Sequence, residues 1–181
     1  MAVLPIRIYP DPVLRVRCPE VSSFGAELAR LASDMVETMH AAPGIGLAAP
    51  QVGSQTRLCV VDTSIGEDPE ALIVLVNPEI VEQEGKEVEV EGCLSLPEIT
   101  DRVERPRRIL VRAADVHGEP FEVEAEDLVA RAICHEIDHL DGVLFVDHLR
   151  GLRRDRARRR LRRLAEEQQE AALESRMEVS V

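Results

Sequence analysis

The sequence predicts an α+β domain: mostly antiparallel sheets packed around a central helix, with further helices near the N- and C-termini. Three observations carry that reading. Short β-branched runs joined by short turns outnumber the helical stretches, which favours antiparallel pairing over helix-linked parallel strands. Apolar residues at Leu128, Val129, Ala132, Ile133, Ile137 and Leu140 recur at helical spacing on a segment expected to be buried. The 181 residues are 45% apolar but only 2% aromatic, so Val, Leu, Ile and Ala must fill the core.

Residues 6–12 form an extended start, and Pro10, Pro12 and Pro19 keep residues 9–20 from being helical throughout. Leu28, Leu31, Ala32, Met35, Val36 and Met39 place a first helix over residues 26–41, capped near Ser23 and stopped by Pro43-Gly44. The run Gly44-Ile45-Gly46-Leu47-Ala48-Ala49-Pro50-Gln51 reads either as a glycine-rich turn or as backbone thinned for close approach to a partner. Gln51 ends it with an amide able to donate hydrogen bonds. A phosphate loop is disfavoured, because no strand precedes the run and Lys-Ser/Thr is missing.

Residues 57–62 and 72–76 are strands, the second closed by Asn77-Pro78. Residues 80–84 and 87–90 flank Gly85-Lys86 as a hairpin, with Val88 and Val90 on a dry face and Glu89 and Glu91 on a wet one. This delivers Glu91-Gly92-Cys93-Leu94-Ser95 at a strand end. Residues 108–114 and 121–125 bracket a second turn, His117-Gly118-Glu119-Pro120. The central helix spans residues 127–140 and stops at Asp141-Gly142.

A single catalytic domain is expected over residues 1–150, followed by an arginine-rich C-terminal helix and tail over 151–181. Nine arginines fall between Arg150 and Arg163, and Ala157, Leu161, Leu164, Ala165, Gln168 and Ala172 make one narrow stripe. The final residues are expected to fray. Net charge is -12, divided between -16 on residues 1–149 and +4 on residues 150–181. The body should avoid polyanions while the tail could seek one. The arginine run reads as a solvated face or as a ribosomal-RNA contact; a membrane-surface role is weaker, because the stripe is mostly alanine. No segment has the apolar length to cross a bilayer and the first ten residues hold no signal-peptide core, so a cytoplasmic protein is expected. Cys18, Cys59, Cys93 and Cys134 are dispersed, which argues against a disulfide framework or a cysteine-rich zinc site.

The chemistry concentrates in His135-Glu136-Ile137-Asp138-His139. Four residues is one helical turn, so both imidazoles can aim at one point while Glu136 flanks it: a metal site with a built-in base. Two histidines leave a tetrahedral ion short of a protein ligand. In metzincin peptidases a histidine follows after Gly-x-x, but Phe145 stands there; in gluzincins a glutamate on a later helix completes the set. Cys93 is the better candidate, a soft thiolate suited to iron(II) or zinc. Cys134 lies about 100° round the helix from His135 and should point elsewhere.

Taken in order, the run 44–51, Glu91-Gly92-Cys93-Leu94-Ser95 and His135-Glu136-Ile137-Asp138-His139-Leu140 resemble the three signature motifs of the peptide deformylase family. The resemblance runs from Tyr9-Pro10-Asp11-Pro12-Val13-Leu14 through Gly142-Val143-Leu144-Phe145. It implies hydrolytic removal of the formyl group from N-terminal formyl-methionine of newly synthesised proteins, releasing formate. It implies Fe2+ as the metal, with Ni2+, Co2+ or Zn2+ able to substitute, held by Cys93, His135 and His139. Glu136 becomes the general acid/base, with Gln51 and the backbone N–H of Leu94 as oxyanion donors. Backbone around Ile45, Gly46 and Glu91 would pair with an extended substrate, with Leu128 and Arg131 near the methionine pocket. Arg131 could lay its stem along the wall and keep its head in water, or point inward. The competing reading is a zinc endopeptidase using the same His-Glu-x-x-His helix. A third is a ribosome-binding protein with a vestigial site.

Overall fold

The computed structural model describes residues 2–178, with side chains for 2–171 and 173. Helix α1 (Ala26–Ala41) is followed by strands β1 (Gly46–Ala48), β2 (Leu58–Val61) and β3 (Ile73–Glu84). Then come β4 (Glu87–Cys93), β5 (Leu96–Arg105), β6 (Arg108–Ala114) and β7 (Pro120–Glu126), which leads directly into helix α2 (Asp127–Leu140). A 3-10 turn (Phe145–His148) joins α2 to the long helix α3 (Gly151–Glu178). Five strands form one antiparallel sheet in the order β1-β2-β3-β6-β7, and β4 and β5 form a separate antiparallel ribbon. No helix among the described residues is long and apolar enough to cross a membrane.

The large sheet is covered on both faces, which explains why all four residues of β2 are buried instead of alternating. Cys59 and Val61 face Ala130, Ile133 and Ile137 of α2, while Leu58 and Val60 face Leu28, Met35 and Met39 of α1. Fully burying a side chain such as Leu58 or Met35 is worth about 1.5–3 kcal/mol. A third cluster joins Leu96, Ile99 and Val103 of β5 to Phe145, Ala157, Leu161 and Leu164, so the apolar stripe seats α3 on the small ribbon. Ala172, expected on the stripe, lies outside the described side chains, and residues 179–181, at the end where fraying was expected, lie outside the described residues.

Helices α1 and α2 fall where the apolar spacing puts them, and residues 108–126 form the expected hairpin. Its turn is organised by Asp115, whose carboxylate accepts from the N–H groups of His117 and Glu119. Several local expectations are corrected. The N-cap of α1 is Gly25, without a side-chain hydrogen bond, not Ser23. Asn77-Pro78 does not end a strand: β3 runs through it with a register shift, Asn77 lying at φ 54 and its amide bonding the backbone of Val21 in both directions. Gly85, at φ 68, is not a hairpin turn either, because β3 pairs with β6 whereas β4 crosses to pair with β5. The run after Gly44 contains a strand, β1, at the sheet edge. The expected alternation along β4 does not hold: Val88, Glu89 and Val90 are all exposed while Glu91 is buried, because Glu91 has charged partners inside.

Candidate active site

Helix α2 lies against β1 and β2, and its burial extends around the histidine face: His135 and His139 are both inside. The strand β4 ends beside them. A two-residue turn, Leu94-Ser95, reverses the chain between the paired residues Cys93 and Leu96, leaving the Cys93 thiol at the tip. Sγ of Cys93 and one nitrogen from each imidazole lie within 4.8 Å of one another, close to the span of one ion whose bonds run about 2.0–2.3 Å. Sγ is 3.2 Å from Nε2 of His139. Cys134 is buried apart from this group, and burial pushes its thiol up to about 11.

The electrostatics suit a cation. Burial and the neighbouring His135 hold His139 well below the usual imidazole value, so it is neutral, as a metal ligand must be. Burial works against charge on His135 too, but contacts with Cys93 and Glu91 raise it well above the usual value. The anionic surroundings that favour a proton there also favour a metal. Nδ1 of His135 lies 3.1 Å from Oε2 of Glu91, which orients the ring and directs Nε2 toward Cys93.

Glu91 is therefore more than a backbone partner. Burial alone would raise its carboxyl, yet hydrogen bonds from His135 and Arg105 hold it down to about 2. Arg105 binds both its oxygens, at 2.8 and 3.0 Å. Arg131 is likewise inside and its head is not in water: Nη1 donates to Glu91 Oε1 at 2.8 Å and to the Val103 carbonyl at 3.0 Å, and Nη2 to the Glu87 carbonyl at 3.1 Å. The inward alternative holds because buried Glu91 offers more to the guanidinium than solvent does. Removing one partner from such a buried pair typically costs about 3–5 kcal/mol.

Glu136 is buried with Oε2 lacking any hydrogen-bond partner, and burial pushes its carboxyl up to about 7 against the pull of His135. An unpaired buried carboxylate oxygen is costly and calls for a ligand. Gln51, at the 3-10 turn after β1, accepts from the Ala48 N–H through Oε1 at 2.8 Å. That fixes its amide, so Nε2 faces Ser95 Oγ at 3.2 Å and Cys93 Sγ at 3.6 Å. Ile45, Gly46, Gln51, Glu91, Cys93, Leu94, Leu128, Arg131, His135 and Glu136 all line one cleft of about 380 Å³. A larger hollow of about 610 Å³ beside Phe24 and Thr56 holds no histidine or cysteine, so size alone does not locate the chemistry. Among the described residues β1 pairs only with β2 and β4 only with β5, so each has an open edge, and residues of both line the cleft. Sequence reasoning missed Arg105, Ser95 and Asp138, whose roles come from contacts between segments far apart in the chain.

Fold and site together define a metal-dependent hydrolase. The family model for polypeptide deformylase matches residues 3–155. Peptide deformylase from Acidobacterium capsulatum is 51% identical over 91% of this chain and 96% of its own length, and that from Thermodesulfovibrio yellowstonii is 49% identical over 90% and 98%. The crystal structure of a peptide deformylase from Legionella pneumophila superposes with a TM-score of 0.84 at 44% identity, covering 92% of this chain and 98% of the other. That from Thermus thermophilus gives 0.84 at 42%, over 91% and 99%. The chain belongs to the peptide deformylase family.

Proposed function

We propose that the protein hydrolyses the formyl group from N-terminal formyl-methionine of newly synthesised polypeptides, releasing formate, with residues 1–150 as the catalytic unit. The observation that carries this reading is the convergence of Cys93 Sγ and both imidazoles within 4.8 Å, beside the unpaired Oε2 of Glu136. Cys93, His135 and His139 would hold the metal, and the thiolate in a set with two imidazoles suits iron(II), with nickel, cobalt or zinc as substitutes. When bound, the metal supplies Lewis acidity, lowering the pKa of water toward neutral and polarising the formyl oxygen.

The chain's own residues supply the rest. Glu136 takes the proton of the attacking water and returns it to the departing amine. Gln51 Nε2 and the Leu94 N–H donate to the formyl oxygen as negative charge builds, each worth ~3 kcal/mol in sites of this kind. The open edges of β1 and β4, around Ile45, Gly46 and Glu91, accept the substrate backbone as an added strand. Leu128 and Arg131 wall the pocket for the first side chain. The formyl carbon carries only hydrogen, so a tight pocket excludes bulkier acyl groups by sterics.

The test is anaerobic purification with metal analysis, followed by formate release from a formyl-Met peptide measured beside cleavage of an unformylated peptide. Formate release supports the reading. Peptide-bond cleavage without formate would establish the zinc endopeptidase alternative.

A second reading concerns α3 and a cytoplasmic setting. Arg154, Arg156, Arg158, Arg159, Arg160 and Arg162 are exposed and make no ion pair among the described residues, an array suited to ribosomal RNA phosphates. Co-sedimentation with ribosomes at low salt, lost at high salt, supports it; no binding at low salt removes it.

A further inference from the structure

The thiol and the imidazoles of the candidate metal site sit on two different bodies. Cys93 ends β4 of the two-stranded ribbon, whereas His135 and His139 are on α2, which packs against the five-stranded sheet. A two-stranded ribbon is marginal by itself, so its placement against α2 depends on what ties the two together.

Arg105, the last residue of β5, reaches both bodies. Its Nε and Nη2 donate to Oε1 and Oε2 of Glu91, two residues before Cys93. Its Nη1 donates to Oδ2 of Asp138 at 2.7 Å, and Asp138 immediately precedes His139. The guanidinium is 5% exposed, so these bonds are made out of water, where direction counts. Glu91 in turn contacts Nδ1 of His135. Arg131, on α2 itself, also ties that helix to the ribbon at Glu91, Val103 and Glu87. Arg105 alone among the described residues bonds both Glu91, two residues from Cys93, and Asp138, next to His139.

We infer that Arg105 is a positioning residue of the metal centre: by clamping Glu91 on the ribbon to Asp138 on α2, it sets the separation between the Cys93 thiol and the two imidazoles. It touches neither metal nor substrate and acts through the two carboxylates. The inference rests on the proposed ligand set and extends it to the contacts that hold the set together. A lysine in its place has its three donors on one nitrogen and could not bind both Glu91 oxygens in a planar fork while reaching Asp138 from a third position.

The experiment uses the full chain loaded with cobalt(II), whose visible absorption reports thiolate coordination and geometry. Release to a chelator is followed for wild type, Arg105→Lys, Asp138→Asn and Arg57→Gln. Arg57 is the control: it bonds Asp141 at the end of the same helix and the Pro78 carbonyl, and among the described residues no hydrogen bond joins it to the ribbon. Asp138→Asn removes the helix side of the clamp and leaves Arg105 on Glu91, so the test survives if Arg105→Lys fails to fold. Arg105→Lys and Asp138→Asn are expected to lose cobalt about 10–100-fold faster, with altered absorption and unchanged far-ultraviolet circular dichroism, while Arg57→Gln matches wild type. Wild-type release from both clamp variants overturns the inference, as does equally fast release from Arg57→Gln, which would mean general loosening. If the wild type does not take up one cobalt per chain, or Cys93→Ala takes it up normally, the ligand assignment itself fails.

Discussion

A Cβ on Gly46 would lie 2.4 Å from Oε1 of Glu136, so the edge of β1 is cut away where the carboxylate stands. Only a residue without a side chain lets this strand edge and this carboxylate share the cleft. In Gly46→Ala the end of the Glu136 side chain must yield, and the cost falls on alignment more than on folding. Deformylation is expected to drop about 10²-fold, since displacements near 1 Å cost that much. The melting temperature should move by only a few degrees. Unchanged activity would mean that the position of Glu136 is not critical.

Glu136→Gln keeps the shape and removes the proton acceptor. The variant is expected to bind metal at the wild-type ratio while formate release falls by about 10²–10⁴. Metal analysis beside steady-state assay checks both halves. Full activity would assign the proton to another group.

Gln51→Ala removes an amide donor aimed past Cys93 and also the acceptor of the Ala48 N–H. If the amide stabilises developing charge, kcat falls by about 10²–10³ and KM changes little. A loss carried mainly by KM would instead make Gln51 a ground-state binding residue.

Stability should carry an acid-dependent contribution from Asp62, which is not one of the candidate ligands. Burial alone would raise this carboxyl, but bonds from Ser64, His40 and the Gly66 N–H hold it down to about 2 from its usual 3.8. A depressed carboxylate stabilises the fold fully above its unfolded pKa and loses that contribution as pH falls through its folded one. Wild type should therefore exceed Asp62→Asn in urea unfolding at pH 6, and the gap should narrow between pH 4 and pH 2. A gap independent of pH would locate the contribution in packing.

Helix α2 was legible because its information is local: a 3.6-residue period, two histidines one turn apart and a stop at Asp141-Gly142. The hairpin β6–β7 was legible for the same reason, two alternating runs about a turn. The ribbon was not. Nothing local to residues 80–90 says that β3 pairs with β6 and leaves β4 to pair with β5. Nor does the Leu96–Arg105 segment alternate cleanly, because Glu98 lies at φ 62 and interrupts the period.

The chain by itself determined the chemistry on offer: a thiol, two imidazoles in helical register, a carboxylate between them and an amide after a run of small residues. Those are matters of residue type and spacing, which survive in any fold that makes the helix. Only the tertiary structure decided that Glu91 turns inward, that Arg131 follows it, and that Arg105 bonds acids 14 and 33 residues away. A buried charge is tolerable only when partners surround it, and partners brought together by sheet pairing have no trace in local sequence.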